Sequence, residues 1–163
     1  MTMRLARAGG WAAAAIGLIA ASASAAPRIA GTPSCRVQVP ADLDSGNAVW
    51  LGACARGRAQ ALGVLRVGSR APYQFFLGRV EAGRPVTGVL VLNRSQLMDA
   101  VRFDSALRAV HTDGLKPGEI ESVFRIASAG AQATAQRFRA SGNHSSAAFY
   151  AKMAQDYREP PFE

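Results

Sequence analysis

The chain has 163 residues, nineteen of them basic against eleven acidic, for a formal charge of +8. That length holds one domain with a real hydrophobic core and excludes two comfortable ones. The basic residues are scattered singly and all but Lys116 and Lys152 are arginine, so the charge favours anionic partners in general without the blocks of a nucleic-acid site.

Residues 1–25 read as a signal peptide. Arg4 and Arg7 precede an apolar run from Trp11 to Ala21, and Ala23-Ser24-Ala25 supplies the small residues of a cleavage site after Ala25. The run is shorter than the roughly 20 residues a bilayer core needs. Cleavage predicts a periplasmic or secreted protein and removes two arginines and no acid, which lowers the formal charge to +6. Residues 26–34, with two prolines and a glycine, form an extended leader.

Cys35 and Cys54 are the only cysteines. An even pair in an oxidising compartment points to a disulfide. They lack the neighbouring ligands of a zinc site and the CxxC spacing of a redox centre. Cys35 to Val39 alternates as a short strand that Pro40 stops. Asp42, Asp44, Ser45 and Asn47 have part of the look of a calcium loop, but its terminal glutamate is missing, and a solvated turn accounts for them.

Residues 50–92 then say nearly the same thing twice. Trp50 answers to Phe76, Gly52 to Gly78, Cys54 to Val80, Gly57 to Gly83, Arg58 to Arg84, and Val64-Leu65 to Val89-Leu90. Residues two apart in a strand share a face, so each unit opens aromatic, glycine, apolar on one face, and a glycine there admits an aromatic ring from an adjacent strand. Arg56-Gly57 and Ala82-Gly83 fall where the chain reverses, because glycine takes the positive φ that tight hairpins need. Leu62–Val67 and Val86–Leu92 are apolar return strands rich in β-branched residues.

This pattern resembles the MORN repeat, a hairpin module with an aromatic-x-Gly opening, a glycine turn and a Gly-x-apolar return. Departures exist: Gly63 is matched by Gly88 only after a one-residue shift, and Ala61 stands where the family commonly has glycine. An ordinary antiparallel meander, its glycines set by turn chemistry alone, is the other reading. Two such units cannot bury their own apolar face, so residues 94–158 are expected to cover it as helices. Asn93 to Val110 reads as the first, with Ser95 as N-cap. Glu119 onward reads as the second, with Ile120, Phe124, Ala127, Ala131 and Phe138 at three- and four-residue steps. Acids open it and arginines close it, in the sense the helix dipole favours. Ser141-Gly142-Asn143 ends it. The third runs from about Ser145 to Arg158, and Pro160-Pro161 stops it, leaving residues 159–163 as a tail. The expected fold is therefore α+β: an antiparallel β-meander of two MORN-like hairpins and a short N-terminal strand over residues 35–93, covered by two or three C-terminal helices.

Chemistry is sparse. His111 is followed by Asp113 in HTD, the pairing of a base and its orienting carboxylate, but no nucleophile is tied to it. His144 stands in NHSS, where a capping segment explains the hydroxyls. No phosphate loop, dinucleotide fingerprint, GxSxG or HExxH occurs, so no catalytic residue, metal ligand or cofactor is assigned. The resemblance implies a non-catalytic binding or scaffold protein of the bacterial cell envelope, with another envelope protein as partner. Trp50, Arg58, Tyr73, Phe76, Arg79 and Arg84 are the candidate binding residues, since aromatics with arginine mark interface cores. Two further readings give the basic face to anionic lipid, lipopolysaccharide or glycan, or make the chain a small secreted hydrolase or an inhibitor of one. The oligomeric state is not legible.

Overall fold

The computed structural model describes residues 27–161; the expected signal peptide lies outside them. The chain is α+β, a mostly antiparallel sheet followed by two helices. Ten strands come first: β1 Ile29–Thr32, β2 Cys35–Gln38, β3 Ala48–Trp50, β4 Ala53–Ala55, β5 Gly57–Val67, β6 Gln74–Glu81, β7 Arg84–Asn93, β8 Gln96–Ala100, β9 Arg102–Phe103 and β10 Ala109–Val110. The helices α1 Glu119–Ala140 and α2 His144–Asp156 follow.

The long strand β5 is the hub. It pairs antiparallel with β3, β4 and β6 and parallel with β2. Two hairpins follow each other as expected. Ala55 faces Arg58 across Arg56-Gly57, with φ 51 and 75, and Glu81 faces Arg84 across Ala82-Gly83, with φ 48 and 84. Positive φ at both loop positions is the requirement of a type I′ turn, whose twist matches that of the strands.

Gly63, Gly78, Gly88 and Ala100 stand opposite one another on β5, β6, β7 and β8, so a row of small residues crosses four strands. On one face, aromatic rings fill the trough this leaves. A Cβ on Gly52 or Gly63 would collide with the Trp50 indole, and one on Gly78 or Gly88 with the Phe76 ring. Each ring therefore lies over the glycine two residues on in the chain as well as over one in the neighbouring strand. Trp50 and Phe76 belong to a core with Val37, Leu65, Val80, Leu90, Phe103 and Leu107, and Phe103 meets Phe76 edge-on at 5.5 Å.

The helices cover the other face. There Val64, Phe75, Leu77, Val89 and Val91 meet Val123, Phe124, Ala127, Ala131 and Ala135 of α1, with Tyr150 and Met153 of α2. Gly130 lets α1 approach closely: a Cβ there would lie 2.6 Å from the Gly63 carbonyl oxygen and 2.9 Å from the Gly78 amide. Asn143 caps α2, its side chain accepting from the Ser146 amide.

Two expectations are corrected. Asn93–Val110 is not a helix but the strands β8, β9 and β10. Asn93 faces Gln96 across a tight turn in which the Asn93 side chain accepts from the Ser95 amide, so Ser95 follows the turn-making residue and caps nothing. Pairing with β7 then satisfies the backbone of Gln96–Ala100. Of the two or three helices expected, two cover the sheet among the described residues, and the helical portion begins at Glu119. Within residues 26–34, the segment expected to be only a leader, β1 is hydrogen-bonded along β2 from Ile29↔Gln38 to Thr32↔Cys35, which makes it an edge of the sheet.

Candidate functional site

The six residues singled out from sequence do not converge. Trp50 and Phe76 are buried, 7% and 0% exposed, and the indole N–H donates to the Ala53 carbonyl at 2.8 Å. They are core residues and offer nothing to a partner. Tyr73 is half-buried on the helix side, with the Arg66 guanidinium 4.7 Å from its ring centre, a cation–π arrangement. Arg84 is a tether: its guanidinium donates to the Asp104 carbonyl at 2.6 Å and to the Gln38 side chain at 3.5 Å, holding the start of β7 to the loop after β9. Arg58 and Arg79 are exposed.

The disulfide between Cys35 and Cys54 is present, with Cα atoms 5.5 Å apart. It ties β2 to β4 beside the first hairpin turn. In the parallel register of β2 on β5, Cys35 stands opposite Gly57 and Arg36 opposite Arg58. Strand alternation sends the buried Val37 and Ala59 to the core and leaves Arg36 and Arg58 exposed on the other side. Both arginines line a concavity of about 180 Å³ with Gln38, Ala82 and Gly83. Sequence reading missed Arg36, because nothing in a short alternating strand tells which neighbour it will adopt.

The charges are unevenly matched. Ion pairs among the described residues are Lys116–Glu119 and Lys152–Asp156, and His111 contacts Asp99. None of the fifteen arginines at positions 27–161 has a carboxylate oxygen of another described residue within 4.0 Å. The aspartates are engaged elsewhere: Asp42 accepts from the Ala109 amide, Asp99 from Thr112, Asp104 from Arg108 and Asp113 from Leu115. Arg28 satisfies its guanidinium on the carbonyls of Asp44 and Gly46.

His111 has a carboxylate partner, and it is Asp99, with Nδ1 to Oδ1 at 3.2 Å, while Asp113 turns back to the Leu115 amide. Asp99 thus pins residues 111 and 112 to the outer edge of β8. Among the described residues no serine, threonine or cysteine side chain bonds the His111 ring, and the Thr112 hydroxyl is committed to Glu119 at 2.9 Å, so the pair works as a fastening of the link into α1. His144 is exposed at the start of α2. Burial raises Tyr150 above its ordinary pKa of 10.0, opposed by the nearby Arg66 charge. No described helix is long and apolar enough to cross a membrane, and no group of three or more His, Cys, Asp or Glu among the described residues would hold a metal ion. Comparison with protein-family models, with curated proteins and with solved structures found no match.

Proposed function

We propose that the chain is a non-catalytic binding module of the bacterial cell envelope, exported by residues 1–25, cleaved after Ala25, and active in the periplasm or outside the cell. The two hairpins, read as degenerate MORN-like units, are its scaffold, and an acidic surface of another envelope protein is its partner. One observation carries the reading: a domain in which no arginine is paired with a carboxylate among the described residues keeps a positive field that an anionic partner would neutralise. The disulfide suits an oxidising compartment. Arg58 and Arg79 are among the exposed arginines of the strands and would face the partner.

Immobilised mature protein should retain an acidic protein from envelope extract, and Arg58→Ala with Arg79→Ala should weaken retention. Retention of nothing, or unchanged retention by the double variant, would sink the proposal. The same arginines favour a second reading, attachment to anionic lipid or lipopolysaccharide. Flotation with phosphatidylglycerol vesicles at low and raised salt separates the two, since lipid attachment through charge should fade as salt screens it.

A further inference from the structure

We infer that Arg36 and Arg58 form a site for a compact oxyanion of the phosphate-monoester class; the inference rests on the anionic-partner reading and gives it an address. Three observations meet here. First, the register places the two arginines directly opposite each other on neighbouring strands, an arrangement that is destabilising for like charges unless something neutralises them. Second, among the described residues neither has a carboxylate within 4.0 Å and neither guanidinium makes a hydrogen bond. Arg28, Arg66 and Arg84, by contrast, bond carbonyls or lie over a ring. Third, the two share one open concavity of about 180 Å³, room enough for a tetrahedral anion.

The surroundings hold the pair in place. The Gln38 amide donates to the Gly83 carbonyl at 2.7 Å, and the Gly83 amide to the Ala59 carbonyl at 2.8 Å. The second hairpin turn thereby locks onto β2 and β5 beside the arginines. A Cβ on Gly83 would stand 3.0 Å from the Arg36 carbonyl oxygen and 3.6 Å from the Arg58 Cβ, so the glycine lets the turn sit against both strands. The Cys35–Cys54 disulfide closes the other flank, one residue from Arg36. Two planar guanidiniums on fixed strands present paired N–H groups to the oxygens of one anion, the recognition at which arginine exceeds lysine. The phosphate monoester is favoured over a carboxylate because, near neutral pH, it carries up to two charges to offset two arginines.

The test uses the mature chain, with inorganic phosphate as probe and acetate as the monovalent control, read by titration calorimetry and by thermal unfolding. Phosphate should bind more tightly than acetate and raise Tm. Arg36→Gln with Arg58→Gln should weaken phosphate binding about tenfold or more and abolish the Tm rise. In phosphate-free buffer the same variant should melt no lower than the wild type, because it removes a repulsion; a purely structural pair would melt lower. Arg94→Gln with Arg125→Gln, an equal change of charge elsewhere, should leave phosphate binding intact.

Equal loss in both double variants, or no loss at Arg36 and Arg58, overturns the site. A wild type that is retained by acidic partners yet ignores phosphate overturns the site while the wider reading stands. One that binds no anion removes both. Vesicles with phosphatidic acid against phosphatidylglycerol identify the source: a lipid headgroup requires a preference for the monoester that the Arg36/Arg58 variant loses, and a soluble phosphate ester requires none.

Discussion

Ala61 holds a left-handed backbone, φ 65, within β5. It lies where the first hairpin changes register, between Trp50↔Leu65 and Ala53↔Gln60. An L-residue there costs about 1–2 kcal/mol that glycine avoids, while glycine costs about 0.4–1 kcal/mol through the unfolded chain. The methyl is exposed, so little packing is lost. Ala61→Gly should stabilise the protein by about 0.5–1 kcal/mol, measured as a shift of the urea midpoint at constant slope. Tyr150 gives a second residue-level prediction. Its pKa is raised, first by burial, so the folded state holds the phenol proton more tightly than the unfolded chain. The stabilising contribution is complete below pH 10, the ordinary value, and is lost as pH rises from there through the raised folded value. Tyr150→Phe should flatten the fall of Tm over that alkaline range, and removing the Arg66 charge should move the phenolate absorbance step of Tyr150 higher still.

At the level of elements, α1 and the hairpins meet through glycine. Replacing Gly130 by alanine gains about 1 kcal/mol of helix propensity, yet the new methyl would strike backbone, the Gly63 carbonyl at 2.6 Å and the Gly78 amide at 2.9 Å. Backbone in a paired strand does not yield as a side chain does, and overpacking costs about 1–3 kcal/mol. Gly130→Ala should therefore destabilise by about 1 kcal/mol, with Gly130→Val worse; a stabilised alanine variant would refute the close approach. Hairpin turns and α1 were legible because their signals are local: glycine at the reversal, apolar residues at three- and four-residue steps. The segment after Asn93 was not. Leu97, Met98, Val101, Phe103 and Leu107 satisfy a loose helical spacing, and only the free edge of β7 made strand the better solution for Gln96–Ala100. The arginine pair was illegible for the same reason. Arg58 was visible beside a turn, but its neighbour Arg36 depends on β2 lying parallel along β5, a tertiary fact. Trp50 and Phe76 were read as candidate binding residues, and their burial follows from the glycines against which their rings lie.

The whole molecule is organised around an imbalance: its aspartates hold turns together and its arginines hold few carboxylates. The disulfide secures the sheet where this imbalance is sharpest, across a sequence separation of 19 residues, which in the chain-entropy model stabilises by about 3 kcal/mol. Cys35→Ser with Cys54→Ser should lower the unfolding free energy by roughly 2–4 kcal/mol in urea titration. Salt should act in the opposite sense. In a domain stabilised by surface ion pairs, added salt screens attractions and lowers Tm. Here the described residues contain two lysine–carboxylate ion pairs and none involving arginine, and a net positive charge whose chief electrostatic term is self-repulsion. Sodium chloride raised from about 0.01 M to about 0.15 M shortens the screening length from about 30 Å to about 8 Å, less than the span of the domain. Repulsion between distant arginines is then removed while contacts inside the core are untouched. Tm should rise over that range, and it should rise less in Arg36→Gln with Arg58→Gln, where a like-charge pair facing across two strands is gone. A Tm that falls with salt would mean that attractions dominate the surface, and the account of free arginines would fail with it.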